Sequence, residues 1–283
     1  MKYIEIPLFP TLPQAPDAGD EEGSLSPSTF IHSVGTPTVT VYFPPCPNGT
    51  SVVVCPGGGY AGVSITWEGH TIARWLANWG ITPLVLKYRL PEGRITEPPL
   101  PLLDAWQALR VARSNSAAWK LDPSKIGIMG FSAGGHLALT AALHPGKAGP
   151  AGQPYAGVEA RACFQILAYP VVTFLPPYAH KGSCNNLLGT NPPEDQVRRY
   201  SGELHVTADT PPAFLVHADD DPGVPVQNSL MLLKALQKAG VDAELLRHPT
   251  GGHGFSLGFS LGVPHAPDWL PHLHHWMQKR RWL

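Results

Sequence analysis

Gly130-Phe131-Ser132-Ala133-Gly134 is a G-x-S-x-G pentapeptide that directly follows the apolar run Lys125-Ile126-Gly127-Ile128-Met129 and leads into the helix-forming stretch Gly135 to Leu143. A strand, a tight glycine-flanked turn and a helix in that order form an elbow that presents a serine Oγ at a sheet edge, so Ser132 is the candidate nucleophile. The flanking glycines have a steric reason, because strand and helix approach so closely that a side chain at either position would meet backbone. A serine needs a base to take its proton and an acid to orient that base, and after such an elbow they follow in the order serine, acid, histidine. The acid comes from Ala218-Asp219-Asp220-Asp221-Pro222-Gly223, a turn that closes the strand-like run Ala213-Phe214-Leu215-Val216-His217. Three aspartates compete for one role. Asp221, just before the Pro-Gly turn, is favoured and Asp220 is second; the opposing reading is that the cluster caps a helix beginning near Pro225. The base is His253, in Gly251-Gly252-His253-Gly254 after the last strand-like run, Ala243 to His248, where glycines let the backbone bend and aim an imidazole across the strand ends. His248 itself reads as structural.

A third segment supplies hydrogen-bond donors. Ser51-Val52-Val53-Val54-Cys55 ends in Pro56-Gly57-Gly58-Gly59-Tyr60, and consecutive glycines leave backbone N–H groups unobstructed for a developing negative oxygen, together with the N–H of Ala133. A phosphate cradle is the rival reading. It is set aside because neither G-x-x-x-x-G-K-[S/T] nor G-x-G-x-x-G with a following acidic residue occurs. With Leu86-Lys87-Tyr88-Arg89-Leu90, Asp122-Pro123 ahead of the elbow, Gly135-His136 after it, and Gly254-Phe255, these motifs make residues 35 to 280 resemble the α/β-hydrolase esterases grouped with microbial acetyl-xylan and feruloyl-type carbohydrate esterases. Related lipases and esterases carry His-Gly-Gly-Gly where this chain has Pro56-Gly57-Gly58-Gly59. Aligned to that pattern, Gly58 and Gly59 are the oxyanion donors, and the missing histidine removes a loop-bracing contact but not the N–H groups. The resemblance implies a serine esterase for short acyl groups, chiefly acetyl, on plant-type carbohydrate. A general carboxylesterase or small peptidase with the same triad is the alternative. A non-catalytic binding protein on this fold would be expected to lose the histidine or the acid, and both are present.

The elements that must position these residues alternate along the chain. Thr38-Val39-Thr40-Val41-Tyr42 has period two and predicts an early antiparallel strand. Ile72, Trp75, Leu76 and Trp79 share a helix face that stops at Gly80; Leu102, Leu103, Trp106, Leu109 and Ala112 share another after Pro101. Leu230, Leu233 and Leu236 precede a stop at Gly240, and Trp269, Leu270, Leu273, Trp276 and Met277 build a last helix. Strand and helix in alternation predict the α/β class, a mostly parallel central sheet with helices on both faces. Residues 1–34, rich in Pro, Gly and Asp, read as an N-terminal arm, either wrapped on the surface or loose, and 35–283 as one hydrolase domain. Within it, residues 171–210 break the alternation and read as a small lid or pocket wall over the catalytic edge.

Composition agrees with a neutral substrate. The 283 residues are 43% hydrophobic, enough for one sizeable core, and carry a formal net charge of −1 with no basic stripe, which argues against a nucleic-acid partner. Cys46, Cys55, Cys163 and Cys184 lack C-x-x-C spacing. No signal-peptide core and no run of membrane-spanning length is present, so a cytoplasmic protein is expected unless a leader has been removed. The expected partner is a small-molecule or oligosaccharide ester; no cofactor, metal or membrane is required. On the last helix His272 and His275 face one way and His274 another, with no acidic or cysteine ligand alongside. Lys87-Tyr88-Arg89 reads as bracing and His136 as packed inside. Tyr60, Trp67 and Glu68 are taken as walls of a substrate pocket.

Overall fold

The runs Ser51–Cys55, Ile126–Phe131, Gln165–Ala168 and Ala213–Ala218 are strands buried along their whole length, as parallel strands must be when helices cover both faces of the sheet. The computed structural model describes residues 1–11, 13, 15–19, 30–146, 149, 153–258 and 266–283, and among these it sets the four runs inside an eight-stranded sheet. In chain order the strands are β1 (Lys2–Pro7), β2 (Ala18–Gly19), β3 (Ile31–Ser33), β4 (Thr38–Phe43), β5 (Ser51–Cys55), β6 (Thr82–Lys87), β7 (Ile126–Phe131), β8 (Gln165–Ala168), β9 (Ala213–Ala218) and β10 (Ala243–His248). The large sheet runs β1-β4-β6-β5-β7-β8-β9-β10, and β2 pairs with β3 apart from it. β4 is antiparallel to both neighbours, as its period-two pattern led one to expect, and β6 through β10 run parallel. The carboxyl ends of β5, β7, β8, β9 and β10 therefore share one edge.

The helices are α1 (Thr71–Asn78), α2 (Leu100–Ser114), α3 (Ser116–Trp119), α4 (Ser132–Leu143), α5 (Lys181–Leu188), α6 (Glu194–Arg199), α7 (Gln227–Lys238) and α8 (Leu270–Lys279). Alternate strand residues divide the core in two. Val53, Ile128, Leu167 and Leu215 pack with Leu109 of α2, Leu137 of α4 and Leu232 and Leu236 of α7. Val54, Met129, Ile166 and Phe214 pack on the other face with Ile72 and Leu76 of α1 and Leu273 and Trp276 of α8. On α7 the buried leucines are Leu232 and Leu236, while Leu230 and Leu233 are half-buried, a shift from the expected face. The reason is that Asn228 and Ser229 are also buried there, bonded to Val172 after β8 and to His217 of β9, and they rotate the inward face.

Of residues 1–34, the first part is wrapped on the sheet and is not loose. β1 pairs antiparallel with β4 from Lys2↔Phe43 to Pro7↔Thr38, and Leu8 and Phe9 behind it are core residues at 1% and 4% exposure. β1 is an edge strand, with solvent on nearly every side chain and a lysine and a proline of the kind edges carry, so its sequence lacks the apolar run of a buried strand. Residues 20–29 of the expected arm lie outside the described residues. The 171–210 segment holds α5, α6 and a single turn at Gly202–Leu204. Among the described residues no helix is long and apolar enough to cross a membrane, and no group of three or more His, Cys, Asp or Glu is placed to hold a metal ion; His274 lies edge-on against Trp79, with ring centroids 5.0 Å apart.

Candidate active site

Ser132 ends β7, opens α4 and has a φ of +52°, a left-handed conformation that strains any residue with a Cβ. The elbow can exist only with glycines beside it. A Cβ on Gly130 would collide with the Gly134 carbonyl, and one on Gly134 with the carbonyls of Cys55 and Pro56. Ser132 Oγ lies 2.8 Å from His253 Nε2, and His253 Nδ1 lies 2.7 Å from Asp221 Oδ2. The carboxylate can only accept, so Nδ1 carries the hydrogen and Nε2 is left to accept from the serine hydroxyl.

The acidic turn after β9 sorts its three aspartates. Asp219 pairs with Arg247 Nε at 2.8 Å on the surface, and Asp220 accepts from the Gly252 N–H at 2.8 Å, tying down the histidine loop. Asp221 Oδ1 accepts from the N–H groups of Gly223 and Val224, each at 2.8 Å, which leaves Oδ2 for His253. Burial opposes ionisation of Asp221. Hydrogen bonds from His217, His253 and Val224 outweigh it and hold the carboxyl well below the usual carboxylate range. His217 is fully buried: Nε2 donates to Val224 O at 2.9 Å and lies 3.3 Å from Asp221 Oδ2, and Nδ1 faces Ser229 Oγ at 2.8 Å.

The glycine loop after β5 is fixed by its carbonyls. Gly57 O accepts from Ser64 N at 3.0 Å, and Gly58 O from the N–H groups of Ala61 and Gly62 at 3.0 and 3.2 Å. In a trans peptide the N–H points opposite its C=O, so the N–H groups of Gly58 and Gly59 are turned the other way, with no partner among the described residues. Gly58 sits at a φ of +131°, which only glycine adopts freely. Ala133 N–H belongs to the first turn of α4, where helix geometry leaves donors unpaired and the dipole favours negative charge. In place of the missing histidine brace, Tyr88 Oη donates to Pro56 O at 2.8 Å and Glu68 Oε2 accepts from the Gly57 N–H at 2.8 Å.

The expected pocket walls separate. Tyr60 lines a cavity of about 400 Å³ with Glu92, Asn185, Asn186 and Thr190, while its hydroxyl donates to His136 Nδ1 at 2.8 Å. Glu68 is a correction: at 4% exposure both its oxygens are engaged, by Gly57 N–H and by Tyr169 Oη at 2.7 Å, so it lies behind the site and presents nothing to a substrate. Burial raises its pKa, against the pull of those two bonds and of His253. Trp67 is half-buried and donates to Gly254 O at 3.0 Å, bracing the histidine loop. His136 packs inside as expected, donating through Nε2 to Tyr200 O at 2.7 Å. Lys87 pairs with Asp17 and Glu5, and Arg89 with the buried Asp104. Sequence reasoning passed over Tyr169, whose ring meets His253 edge-on at 5.1 Å, and Asn186, whose Nδ2 donates to Gly59 O at 2.9 Å. Tyr169 directly follows β8 at the catalytic edge, a placement that marks it in hindsight; Asn186 carries no such signal.

A mostly parallel sheet with helices on both faces, a serine on the elbow after its central strand, an acid after β9 and a histidine after β10 define an α/β hydrolase. More particularly, the chain belongs to the BD-FAE family, whose model matches residues 39–236. An acetylxylan esterase of Xylanibacter ruminicola is 36% identical over 248 residues, covering 86% of this chain and 48% of its own. Endo-1,4-beta-xylanase B of Butyrivibrio fibrisolvens is 35% identical over 209 residues, 73% of this chain and 32% of its own. The chain thus spans about half the length, or less, of these curated relatives. The crystal structure of an acetyl ester-xyloside bifunctional hydrolase from Caldicellulosiruptor lactoaceticus matches 99% of this chain and 97% of its own at a TM-score of 0.80 and 32% identity.

Proposed function

We propose that the protein is a serine carboxylic-ester hydrolase that removes short acyl groups, chiefly acetyl, from plant-type carbohydrate. The observation that carries this reading is the unbroken line from Ser132 Oγ through His253 to Asp221, at 2.8 and 2.7 Å, beside a loop whose Gly58 and Gly59 N–H groups have no backbone partner among the described residues and a helix whose first turn holds Ala133 N–H. As Oγ bonds to the ester carbonyl carbon, its proton passes to His253 Nε2, and the carbonyl electrons move onto an oxyanion held by the three N–H groups. Asp221 keeps the imidazole in the tautomer with Nδ1 protonated and stabilises the imidazolium. The C–O bond to the alcohol then breaks, and His253 returns the proton to the leaving oxygen. Water, deprotonated by the same nitrogen, attacks the acyl-enzyme and releases the acid with Ser132 restored.

The substrate class is supported by the names of the similar proteins and by the cavity beside Tyr60, where Glu92, Asn185, Asn186 and Thr190 offer partners to sugar hydroxyls between the apolar Leu90 and Ile95. The test is acetate and ferulate release from acetylated and feruloylated xylo-oligosaccharides beside p-nitrophenyl acetate, with Ser132→Ala as control. Acetate release lost by roughly 10³-fold or more in the alanine variant is expected. Cleavage of p-nitrophenyl acetate with neither product released from the oligosaccharides would instead make the protein a general short-chain carboxylesterase.

A further inference from the structure

Residues Thr66–His70 form one turn of wide helix between β5 and α1, and such single turns recur where a side chain must be aimed at a site. Here two adjacent residues hold two different loops. Glu68 Oε2 accepts from Gly57 N–H, the residue that enters the oxyanion loop. Trp67 holds the histidine loop twice, by Nε1 donating to Gly254 O at 3.0 Å and by its own carbonyl accepting from Ser256 Oγ at 2.6 Å. Tyr169 closes the circuit. Its hydroxyl donates to Glu68 Oε1 at 2.7 Å and accepts from Ser256 N–H at 2.9 Å, while its ring stands edge-on to His253. Tyr169 keeps a φ of +37° to do so, a conformation that costs backbone energy in a residue with a side chain.

We propose that Glu68 and Tyr169 are positioning residues that lock the oxyanion donors and the catalytic histidine to one another, a claim that rests on the serine-hydrolase reading above. The requirement is physical. Nε2 must stay within hydrogen-bond reach of Ser132 while Gly58 and Gly59 N–H point at the oxyanion, yet base and donors stand on separate loops after different strands. Each loop is rich in glycine and would drift alone. The Gly57–Glu68–Tyr169–Ser256 chain of hydrogen bonds ties the two at a fixed spacing. Every group in it is buried, so no water competes for its bonds. Steric fit supports the assignment, since a Cβ on Gly57 would lie 2.6 Å from Glu68 Oε2 and 3.1 Å from Ser132 Cβ.

Tyr169→Phe keeps the ring against His253 and removes only the hydroxyl; Glu68→Gln keeps the shape but can no longer accept from both donors. Two readouts are taken on each. The first is steady-state hydrolysis of p-nitrophenyl acetate, where kcat should fall roughly 10- to 100-fold with KM within about two-fold, the scale of misplacing an oxyanion donor. The second is the rate at which a fluorophosphonate labels Ser132, which reads serine, histidine and oxyanion donors without reference to the natural ester. It should slow by a similar factor, and the double variant should be no slower than the worse single one, because both cut one chain. A merely structural role predicts instead losses that follow the folded fraction in circular dichroism, or a rise in KM alone. Either result, or labelling at the wild-type rate in both variants, overturns the proposal. Wild-type labelling that Ser132→Ala abolishes, without acetate release from oligosaccharides, would remove the substrate reading and leave this one in force; a wild-type protein that is not labelled removes both.

Discussion

Asp219, Asp220 and Asp221 are consecutive, yet the turn after β9 sends their carboxylates to Arg247, to the Gly252 N–H and to His253 Nδ1. Asparagine at each should therefore give a graded series in kcat for p-nitrophenyl acetate. Asp221→Asn should lose roughly 10³- to 10⁴-fold, because an amide there favours the wrong imidazole tautomer. Asp220→Asn should lose less, since an amide oxygen can still accept from Gly252, and Asp219→Asn should stay within about two-fold of wild type; any other ranking would sink the assignment of Asp221. His136 offers a test of stability. Burial lowers its pKa from 6.5 to about 4, so as pH falls the unfolded chain takes up the proton first. Its contribution is intact above the unfolded value and is lost between pH 6.5 and 4, by roughly 3 kcal/mol. Urea unfolding at pH 7, 5.5 and 4.5 should show a smaller acid loss in His136→Gln than in wild type, whatever the variant's starting stability. At this scale the meeting of Ser132, His253 and Asp221 was legible because chemistry and chain order restrict which serine, histidine and acid can come together. Tyr169 and His217 were not, since one aromatic after a strand, or one histidine within it, looks the same whether it packs or positions.

The strands that are apolar but for a buried Ser51 and His217, namely β5, β7 and β9, were readable because burial on both faces leaves little room for another composition. β1 was not, because an edge strand with one neighbour needs no continuous apolar run, and its anchoring residues, Leu8 and Phe9, come after it in a Pro-rich stretch. Leu8→Ala should cost about 2–4 kcal/mol in denaturant unfolding, as truncation of a buried leucine does, whereas Ile4→Ala on the exposed strand should stay within about 0.5 kcal/mol. Equal losses would mean that β1 carries the stability itself. Helices α5 and α6 escaped sequence reading for another reason: they are short, and prolines, glycines and asparagines surround them. Of the two, only α5 lines the cavity beside Tyr60, and it brings Asn185 and Asn186, so a long acyl tail lying against it would forgo the roughly 0.8 kcal/mol that each buried methylene contributes. Among p-nitrophenyl esters, kcat/KM should accordingly peak between acetyl and butyryl and fall beyond; a rise through octanoyl would reveal an apolar channel and point towards a lipase.

Across the whole molecule, the fold class followed from the alternation of strands and helices, and three glycine-marked turns at the ends of three strands agreed with it, because one sheet edge is the place where they can meet. The substrate did not follow, since a neutral chain with a polar cover suits many esters. The opposite edge of the sheet has a use of its own. Cys46 lies in the turn between the end of β4 and the start of β5, and Cys163 just before β8; both are on the edge remote from Ser132. The other two thiols, Cys55 and Cys184, are buried. Maleimide chemistry should thus anchor the protein to a solid support with its mouth facing outward, and kcat/KM for a bulky oligosaccharide should survive such coupling. Attachment through lysines, which include Lys181 on the segment above the cavity, should lower it, and an equal loss by both routes would show that the anchored edge is not remote from the path of the substrate.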